Sequence, residues 1–432
     1  MSGGPIARPA VLVAAPSSGQ GKTTVTAALA RRHRLAGRKV RAFKCGPDFL
    51  DPTILAAASG NPVYQLDLWM VGEAGCRALL RRAAEEADLV VVEGVMGLFD
   101  GEPSAADLAE LFGLPILALI DARAMAQSFG AVALGLSVYR PSLSFWGFLA
   151  NRVAGPSHAE LLKNSLPPGL KWHGSLRRGG DLELPSRHLG LVQAGELSDL
   201  EKRLDLAAAE LAAQTPDDLP PEANFLPERL PEPGRPLEGK RLAVARDEAF
   251  GFIYQANLDL LRQMGAQLSF FSPLAADRLP AGAQALYLPG GYPELHLDTL
   301  AANRALAQDI ADFHRAGRPI LAECGGLLYL LESLSHGGQT GTMVGLLPGR
   351  AELSGGLKGL GLMEAEMPGG PLRGHSFHHS HLSMDLTPLC RAKRRDGRPD
   401  RLEVVYRQGR LTASYIHFYF PSNPQAVAEI FS

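Results

Sequence analysis

The chain has 432 residues, of which 46% are hydrophobic and 20% are charged. One domain averages roughly 150 residues, so this length predicts two or three domains, and the composition excludes extensive intrinsic disorder. The 43 basic and 45 acidic residues give a net charge of −2, without the basic surplus that is typical of nucleic-acid-binding proteins.

The cysteines and the apolar runs indicate where such a protein works. No cysteine pair has the spacing of a metal site, and four cysteines are too few for a disulfide framework, which favours a reducing compartment. The N-terminus lacks the pattern of a signal peptide. The longest apolar stretch, residues 111–120, is shorter than the ~20 residues that span a bilayer. We therefore expect a cytoplasmic protein with no membrane and no nucleic acid among its partners.

The first half of the chain alternates short apolar runs with helical patterns. The runs predict buried strands at 10–15, 40–44, 89–93, 115–121 and 145–150. The helical patterns predict helices at 23–35, 75–87, 125–139 and 194–214. Such alternation is typical of parallel βαβ units. It predicts a doubly wound, mostly parallel α/β sheet in a first domain spanning residues 1–214.

Residues 215–237 contain seven prolines and predict an extended interdomain linker. The alternative is a long surface loop inside one domain. After this segment the alternation restarts, with strands at 241–245, 267–271, 285–289 and 319–323 and helices at 252–264, 298–316 and 326–334. An antiparallel strand pair follows at 403–407 and 411–414. The pattern predicts a second α/β domain at residues 238–432.

A phosphate-binding loop is predicted where the first strand meets the first helix. The loop has the sequence PSSGQGKTT at residues 16–24. Its glycines let backbone N–H groups approach an anion, its lysine supplies a cation for the outer phosphates, and its first threonine has the hydroxyl that holds Mg²⁺ in such loops. The alternative is a chance Gly/Ser-rich loop. We assign nucleotide binding to Gly19, Gly21, Lys22, Thr23 and Thr24.

Acidic residues follow the second and third predicted strands. Asp48 and Asp51 come after residues 40–44, and Glu93 and Asp100 lie at or after the end of residues 89–93. Side chains at the carboxyl ends of parallel strands face the crevice where ligands bind. Asp48 and Glu93 are therefore candidate Mg²⁺ ligands together with Thr23. The alternative is that some of these acids only cap helices or turns.

The run PILAECGG at residues 319–326 predicts a cysteine nucleophile on a tight strand-to-helix turn. There Cys324 is the nucleophile, and the helix N-terminus is expected to favour its thiolate. The N–H groups of Gly325 and Gly291 are candidate oxyanion donors. The best candidate base is His417, at the end of a late strand. The alternative is a buried structural cysteine.

A histidine-rich run, GHSFHHSH at residues 374–381, has several possible uses. Alternating histidines on a strand can place metal ligands on one face. No cysteine or carboxylate joins them at close spacing, so contact with the substrate or a polar surface strand are the alternatives that the sequence favours.

The order of these motifs closely resembles the cobyrinic acid a,c-diamide synthase family over nearly the whole chain. The resemblance rests on the phosphate loop and on the runs KCGPDFLDP, VEGVMGLFDG, PGGYPE, AECGG and GHSFHHS. It implies an N-terminal domain similar to dethiobiotin synthetase and a C-terminal class I glutamine amidotransferase domain. Related members act on hydrogenobyrinic acid or nickel sirohydrochlorin.

The resemblance also implies roles for individual residues. It makes Cys324 the glutaminase nucleophile with His417 as its base, and it places ATP and Mg²⁺ at the residues assigned above. It implies that Asp51 and Asp100 lie near an acyl phosphate and that Asn151 contacts adenine. Two positions depart from common class I amidotransferases: Tyr419 stands where many have a glutamate two residues after the histidine, and Leu328 replaces a common glutamine.

The expected activity is ATP- and glutamine-dependent amidation of the a and c acetate groups of cobyrinic acid, in two rounds. The expected partners are this tetrapyrrole or a related one, glutamine and ATP, and self-association into a homo-oligomer is compatible with the architecture. One alternative is a nucleotide-switch or partition-type ATPase with a regulatory C-terminal domain. Another is an amidotransferase for a different acid, such as a peptidoglycan precursor.

Overall fold

The computed structural model describes residues 4–179, 186–187, 190–191, 194–353, 355–400 and 402–432. The chain forms two compact units, Met1–Leu230 and Pro231–Ser432. No helix among the described residues is both long and apolar enough to cross a membrane.

The first unit is built on one large sheet. The strands of this unit are β1 (Ile6–Ala14), β2 (Val40–Cys45), β3 (Tyr64–Leu66), β4 (Leu89–Glu93), β5 (Ile116–Asp121), β6 (Phe145–Val153), β7 (Trp172–Arg177), β8 (Ser186–Arg187), β9 (Gly190–Leu191) and β10 (Glu222–Phe225). The parallel strands have the order β3-β2-β4-β1-β5-β6-β7, β10 pairs antiparallel with β1, and β8 pairs with β9. Because β1 is central, the loop that follows it lies in the middle of the carboxyl edge of the sheet.

Helices cover this sheet on both faces. They are α1 (Lys22–Leu35), α2 (Asp51–Ser59), α3 (Glu73–Glu86), α4 (Ala105–Phe112), α5 (Ser128–Tyr139), α6 (Pro156–Asn164) and α7 (Leu200–Gln214). Val11 and Val13 of β1 pack in one core with α1, α2 and α7. Ala10 and Leu12 point to the opposite face and are also fully buried. The predicted doubly wound sheet is therefore confirmed.

The proline-rich segment differs from the predicted linker. Residues 222–225 form β10, in which Ala223 and Phe225 are buried while Glu222 and Asn224 are exposed. This alternation lets one face of the strand pack on the first unit while its backbone extends the sheet. The first unit therefore reaches Leu230, beyond the predicted boundary at 214.

The second unit contains one large and two small sheets. Its strands are β11 (Arg241–Ala245), β12 (Gln267–Phe271), β13 (Ala285–Leu288), β14 (Ile320–Glu323), β15 (Leu331–His336), β16 (Gln339–Thr342), β17 (Leu347–Leu353), β18 (Gly359–Met367), β19 (Gly370–His378), β20 (Ser380–Met384), β21 (Pro388–Arg391), β22 (Lys393–Arg394), β23 (Val404–Gln408), β24 (Leu411–Ser414) and β25 (His417–Phe418). The large sheet has the order β12-β11-β13-β14-β24-β23-β21, parallel from β12 to β24. The small sheets have the orders β16-β15-β17-β20 and β22-β18-β19-β25. The predicted α/β class is confirmed here too.

The helices of the second unit are α8 (Gln255–Gln263), α9 (Leu297–Ala302), α10 (Arg304–Arg315), α11 (Gly325–Leu330) and α12 (Pro424–Phe431). The helix predicted at 298–316 is interrupted at Asn303, whose side chain accepts a hydrogen bond from the N–H of Leu306 and so caps α10. The helix predicted at 326–334 is wrong beyond Leu330. From Leu331 the chain is a strand that pairs with β16 and β17.

Candidate active sites

The phosphate loop, residues 16–24, follows the end of β1 and includes the start of α1. Gly21 has a φ of 95°, in the left-handed region that favours glycine. A Cβ at this position would lie 2.4 Å from Nδ2 of Asn151, so the close approach requires glycine. Inside the loop, the ammonium of Lys22 donates to the carbonyl oxygens of Ser17, at 3.2 Å, and Met96. Lys22 begins α1, and Thr23 and Thr24 follow it in the first turn.

Asn151 braces this loop from β6. Its Nδ2 donates to the carbonyl oxygen of Gln20 at 2.8 Å. The adjacent Arg152 donates to the carbonyl oxygen of Gly19 at 2.9 Å and forms an ion pair with Asp121 at 2.6 Å. These contacts hold the loop against the ends of β5 and β6. The role of Asn151 at adenine stays a prediction.

Three of the predicted acids converge on a lysine that the sequence analysis left without a role. Lys44, at the end of β2, is 4% exposed. Its ammonium donates to Asp51 and, at 2.7 Å, to Glu93, and it lies 3.8 Å from Asp48. The hydroxyl of Thr23 donates to the same Glu93 oxygen at 2.8 Å. The predicted juxtaposition of these residues at the carboxyl edge therefore exists, with a cation at its centre.

Burial and the lysine have opposite effects on these groups. Burial raises the pKa of Glu93 to about 8 and that of Asp48 to about 7. Burial also opposes the ionisation of Asp51, but the Lys44 ammonium lowers its pKa. The amine of Lys44 itself is buried, yet the carboxylates around it raise its pKa well above the usual range. Lys44 and Asp51 are thus a charged pair, and the other two carboxyls titrate near neutrality.

The donor atoms at this edge suit a hard divalent cation. One carboxylate oxygen of Glu93, Oε2, is buried without a hydrogen-bond partner among the described residues. Mg²⁺ is typically held by one or two carboxylates together with substrate phosphates, so a closed protein cage is not needed. Accordingly, the described residues contain no preformed cluster of three or more acidic, histidine or cysteine ligands. The oxygens of Thr23, Glu93 and Asp48 fit such an ion.

Asp100 is an exposed residue after β4 that closes a local turn. Its Oδ2 accepts a hydrogen bond from the N–H of Gly97 at 2.9 Å. A Cβ at Gly97 would lie 2.4 Å from the carbonyl oxygen of Pro16, so this turn packs directly on the phosphate loop. Asp100 is therefore near the phosphate loop, and the alternative of a turn-capping role is observed. Its place near an acyl phosphate stays a prediction.

Cys324 lies on a strained turn between β14 and α11. Its φ of 44° and ψ of −103° are unusual for a residue with a side chain. The N–H of Cys324 donates to the carbonyl oxygen of Ser414 on β24 at 2.7 Å, which ties the turn to the sheet. The residue is 6% exposed. This is the nucleophile-elbow geometry that the sequence predicts.

The two glycine segments converge beside this cysteine. A Cβ on Gly325 would lie 2.9 Å from the backbone nitrogen of Gly291. A Cβ on Gly290 would lie 3.3 Å from Cβ of Cys324 and 2.2 Å from Cε1 of His417. The predicted nucleophile, base and oxyanion donors are thus brought together around glycine backbone that leaves no room for further side chains.

Burial keeps the side chains of the predicted nucleophile and the predicted base neutral. It raises the pKa of the Cys324 thiol, and the charges of Glu294 and Glu403 raise it further, although the N–H of Gly325 opposes them. Burial also lowers the pKa of His417 well below its usual range, and His375 and His378 add to this effect. The expectation that the helix N-terminus favours a thiolate is outweighed in the free protein by desolvation.

Two histidines of the histidine-rich run lie beside this site, whereas His381 of the same run is exposed. His375 lies opposite His417 in the β19–β25 pair, and the rings stack with centroids 5.1 Å apart. Tyr254 bonds to Nδ1 of His375 at 2.7 Å. His378 bonds to Glu403 at 2.9 Å, and its side chain is 10% exposed. The interpretation as a polar surface strand is wrong for these two histidines, and contact with a substrate stays a prediction.

Glu323 is a residue of this site that the sequence analysis missed. Its Oε1 accepts a hydrogen bond from the N–H of Phe418 at 3.1 Å, and its Oε2 accepts one from the hydroxyl of Tyr287 at 2.7 Å. Glu323 therefore links the strand before Cys324 to the strand that carries His417. The sequence feature that could have revealed Glu323 is a carboxylate at the end of an otherwise apolar strand.

Comparisons with known proteins identify two domains in this chain. Residues 11–192 match the CobQ/CobB/MinD/ParA nucleotide binding domain, and residues 241–425 match the CobB/CobQ-like glutamine amidotransferase domain. The hydrogenobyrinate a,c-diamide synthases of Pseudomonas aeruginosa and Stutzerimonas stutzeri are 61% and 59% identical, each over 98% of this chain and 97% and 98% of their own length. The cobyrinate a,c-diamide synthase of Herminiimonas arsenicoxydans is 47% identical over 98% of this chain and 96% of its own. The chain belongs to the a,c-diamide synthase family and carries both a nucleotide binding domain and a glutamine amidotransferase domain.

Proposed function

We propose that this chain is a ligase that uses ATP and glutamine to convert the a and c acetate carboxylates of cobyrinic acid, or of its metal-free counterpart hydrogenobyrinic acid, into amides. The observation that carries the proposal is the pairing of a phosphate loop with a cysteine–histidine site in a chain whose full-length relatives are named a,c-diamide synthases. Each site supplies one half of the reaction.

The second unit releases ammonia. The sulfur of Cys324 attacks the side-chain amide carbon of glutamine, while neutral His417 takes the thiol proton and returns it to the departing nitrogen. A thioester forms and ammonia leaves. Water then hydrolyses the thioester to glutamate. The N–H groups of Gly325 and Gly291 stabilise the negative oxygen of each tetrahedral intermediate.

The first unit activates the carboxylate. A substrate carboxylate attacks the γ-phosphorus of ATP, giving an acyl phosphate and ADP. Ammonia then attacks the acyl carbon, and phosphate leaves. The Lys22 ammonium, held among carbonyl groups in the free protein, is positioned to move to the phosphate oxygens and offset their charge. Asp48, Asp51 and Asp100 are the acids that we assign to the neighbourhood of the acyl phosphate, and Asn151 to adenine.

Thr23, Glu93 and Asp48 would hold Mg²⁺. When bound, the ion supplies positive charge that withdraws electron density from the phosphoryl group. Lys44 keeps the carboxylates oriented at this edge through its bonds to Glu93 and Asp51.

The family includes enzymes named for a metal-free substrate and enzymes named for a cobalt-containing substrate. The relatives at 61% and 59% identity are named for hydrogenobyrinate, and the relative at 47% identity is named for cobyrinate. This difference favours hydrogenobyrinic acid as the better substrate of this chain, with cobyrinic acid as the other candidate.

Product analysis tests the proposal. The protein is incubated with each acid, ATP, Mg²⁺ and glutamine, and mass spectrometry follows the replacement of carboxyl by carboxamide. We expect two amidations. Cys324→Ser should lose glutamine-supported synthesis and keep synthesis with an ammonium salt, because only ammonia release needs the thiol. Loss of synthesis with both nitrogen sources would contradict the division of labour.

A further inference from the structure

A buried carboxylate lies in the turn that follows the Gly290–Gly291 segment. Glu294 belongs to the 3-10 turn Pro293–Leu295 and is 7% exposed. The turn packs directly on the residue after the nucleophile, since a Cβ on Gly325 would lie 2.9 Å from Cδ of Pro293. Glu294 therefore directly follows Pro293, which packs against the cysteine site.

This carboxylate has no cation. In the part of the chain that the structure describes, Glu294 forms no ion pair and no side-chain hydrogen bond with another residue, and only its own backbone N–H favours ionisation. A buried, unpaired carboxylate is costly, and burial raises the pKa of Glu294 to about 7. Apart from burial, the charge of Glu294 is the largest influence that raises the pKa of the Cys324 thiol. A cation that reaches this carboxylate would relieve both costs.

Glutamine brings such a cation into the site. Its reacting amide is neutral, but its α-ammonium group carries a positive charge. We propose that Glu294 binds the α-ammonium group of glutamine and so makes the site selective for an amide that carries an α-amino group. Leu328, which is buried four residues after the nucleophile, offers no polar group for this purpose. The inference rests on the proposed glutaminase activity.

The pairing has a consequence for the nucleophile. Once the ammonium of glutamine neutralises Glu294, the negative charge beside Cys324 no longer opposes ionisation of the thiol. The cysteine then becomes easier to deprotonate when glutamine is bound than when the site is empty. This protects a reactive thiol until its substrate arrives.

Steady-state glutaminase kinetics test the inference with a substrate that lacks the charge. Glutamine is compared with 4-carbamoylbutanoate, the same chain without the α-amino group, in the wild-type chain, Glu294→Gln, Glu294→Asp and the exposed control Glu352→Gln. In wild type we expect kcat/KM for glutamine to exceed that for the analogue by about 100-fold or more, as for a buried charge pair that loses one partner. Glu294→Gln should remove most of this preference, mainly by slowing turnover of glutamine. Glu294→Asp should retain part of it, and Glu352→Gln all of it.

Ammonium-supported synthesis serves as the folding control and should be unchanged in every variant. The inference would be overturned if Glu294→Gln lowered kcat/KM equally for both amides, or if it left the preference for glutamine unchanged. So would normal glutamine hydrolysis that no longer delivers ammonia to synthesis, because Glu294 would then act on the released product. Absence of glutaminase activity in the wild-type chain would instead overturn the proposed function.

Discussion

At the scale of single residues, Lys44 is the cation on which the acidic edge of the first unit depends. Its ammonium bonds to Asp51 and Glu93 and is almost completely buried. Lys44→Met would leave these carboxyls without a counter-charge, and breaking a buried ion pair from one side costs about 3–5 kcal/mol. We expect the free energy of unfolding of the first unit to fall by about that amount. Urea titration followed by tryptophan fluorescence measures it, because all three tryptophans lie before residue 231.

The pH dependence of this loss identifies its cause. The pKa values of Asp48 and Glu93 are already raised, to about 7 and about 8. In wild type the Lys44 ammonium lowers both pKa values, so in Lys44→Met they rise further. As the pH falls, the carboxyls take up protons and the variant no longer buries unpaired anions. The difference in stability between wild type and Lys44→Met should therefore shrink on acidification. A constant difference would assign the effect to lost packing, and Lys39→Met, at an exposed lysine, is the matched control.

The sequence predicted which acids meet at the carboxyl edge, but it did not predict the lysine between them. Asp48 and Glu93 follow predicted strands, and strand ends of a parallel sheet share an edge. Lys44 belongs to a strand, where alternation alone does not distinguish a residue that faces a helix from one that reaches the active edge. The useful signal is physical: a lysine within an apolar strand must find counter-charges when it is buried.

At the scale of elements, Glu323 links the strand that precedes the proposed nucleophile to the strand that carries the proposed base. Glu323→Ala would leave the N–H of Phe418 and the hydroxyl of Tyr287 unsatisfied in a buried place, at a cost of about 1–3 kcal/mol each. We expect glutaminase kcat to fall by about 10-fold or more as His417 loses its alignment. Glu323→Gln should retain most of the activity, because its amide can accept from Phe418 and donate to the tyrosine oxygen. A Glu323→Gln variant as impaired as Glu323→Ala would contradict a positioning role through hydrogen bonds.

The pH dependence of protein stability provides an independent test of the protonation state of Glu323. Burial raises the pKa of Glu323 from 4.5 to about 8. The folded protein therefore holds this proton more tightly than the unfolded chain, and the contribution of Glu323 to stability declines as the pH rises from about 4.5 to 8. Denaturant titrations across this range should show wild type losing stability relative to Glu323→Gln. An opposite trend would indicate that the ionised form is the one stabilised by folding.

Elements were predictable where burial imposes a clear pattern. The parallel strands are short apolar runs, and most were placed within a few residues. The run after Cys324 was misassigned because a continuous apolar sequence fits a buried helix and a buried strand equally well. Leu331 begins a strand only because its partners β16 and β17 lie nearby, which is tertiary information. β25 has two residues, too few for any periodicity, although it carries His417.

At the scale of the whole molecule, two α/β units of similar size provide two chemistries. The sequence predicted this organisation because each half repeats the strand–helix alternation of a parallel sheet. It placed the end of the first unit too early because prolines dominate residues 215–237, while the alternation of Ala223 and Phe225 with polar residues is only four residues long. The two small sheets of the second unit went unpredicted for the same reason: several of their strands are short and half exposed.

A substitution in the first unit should leave the chemistry of the second intact. Lys22→Ala removes the charge that we assign to the phosphates, and electrostatic groups of this kind contribute roughly 10²–10³-fold to the rate. We therefore expect ATP-dependent synthesis to be lost by at least that factor with glutamine and with an ammonium salt alike. Glutamine hydrolysis should persist, because the described contacts of Cys324 and His417 come from the second unit. Cys324→Ser should lose glutamine hydrolysis and glutamine-supported synthesis but keep synthesis from an ammonium salt. The exposed Lys171→Met should change none of these activities. If Lys22→Ala supported synthesis from ammonium at the wild-type rate, the assignment of the phosphate loop would be wrong, although the description of the fold would remain valid.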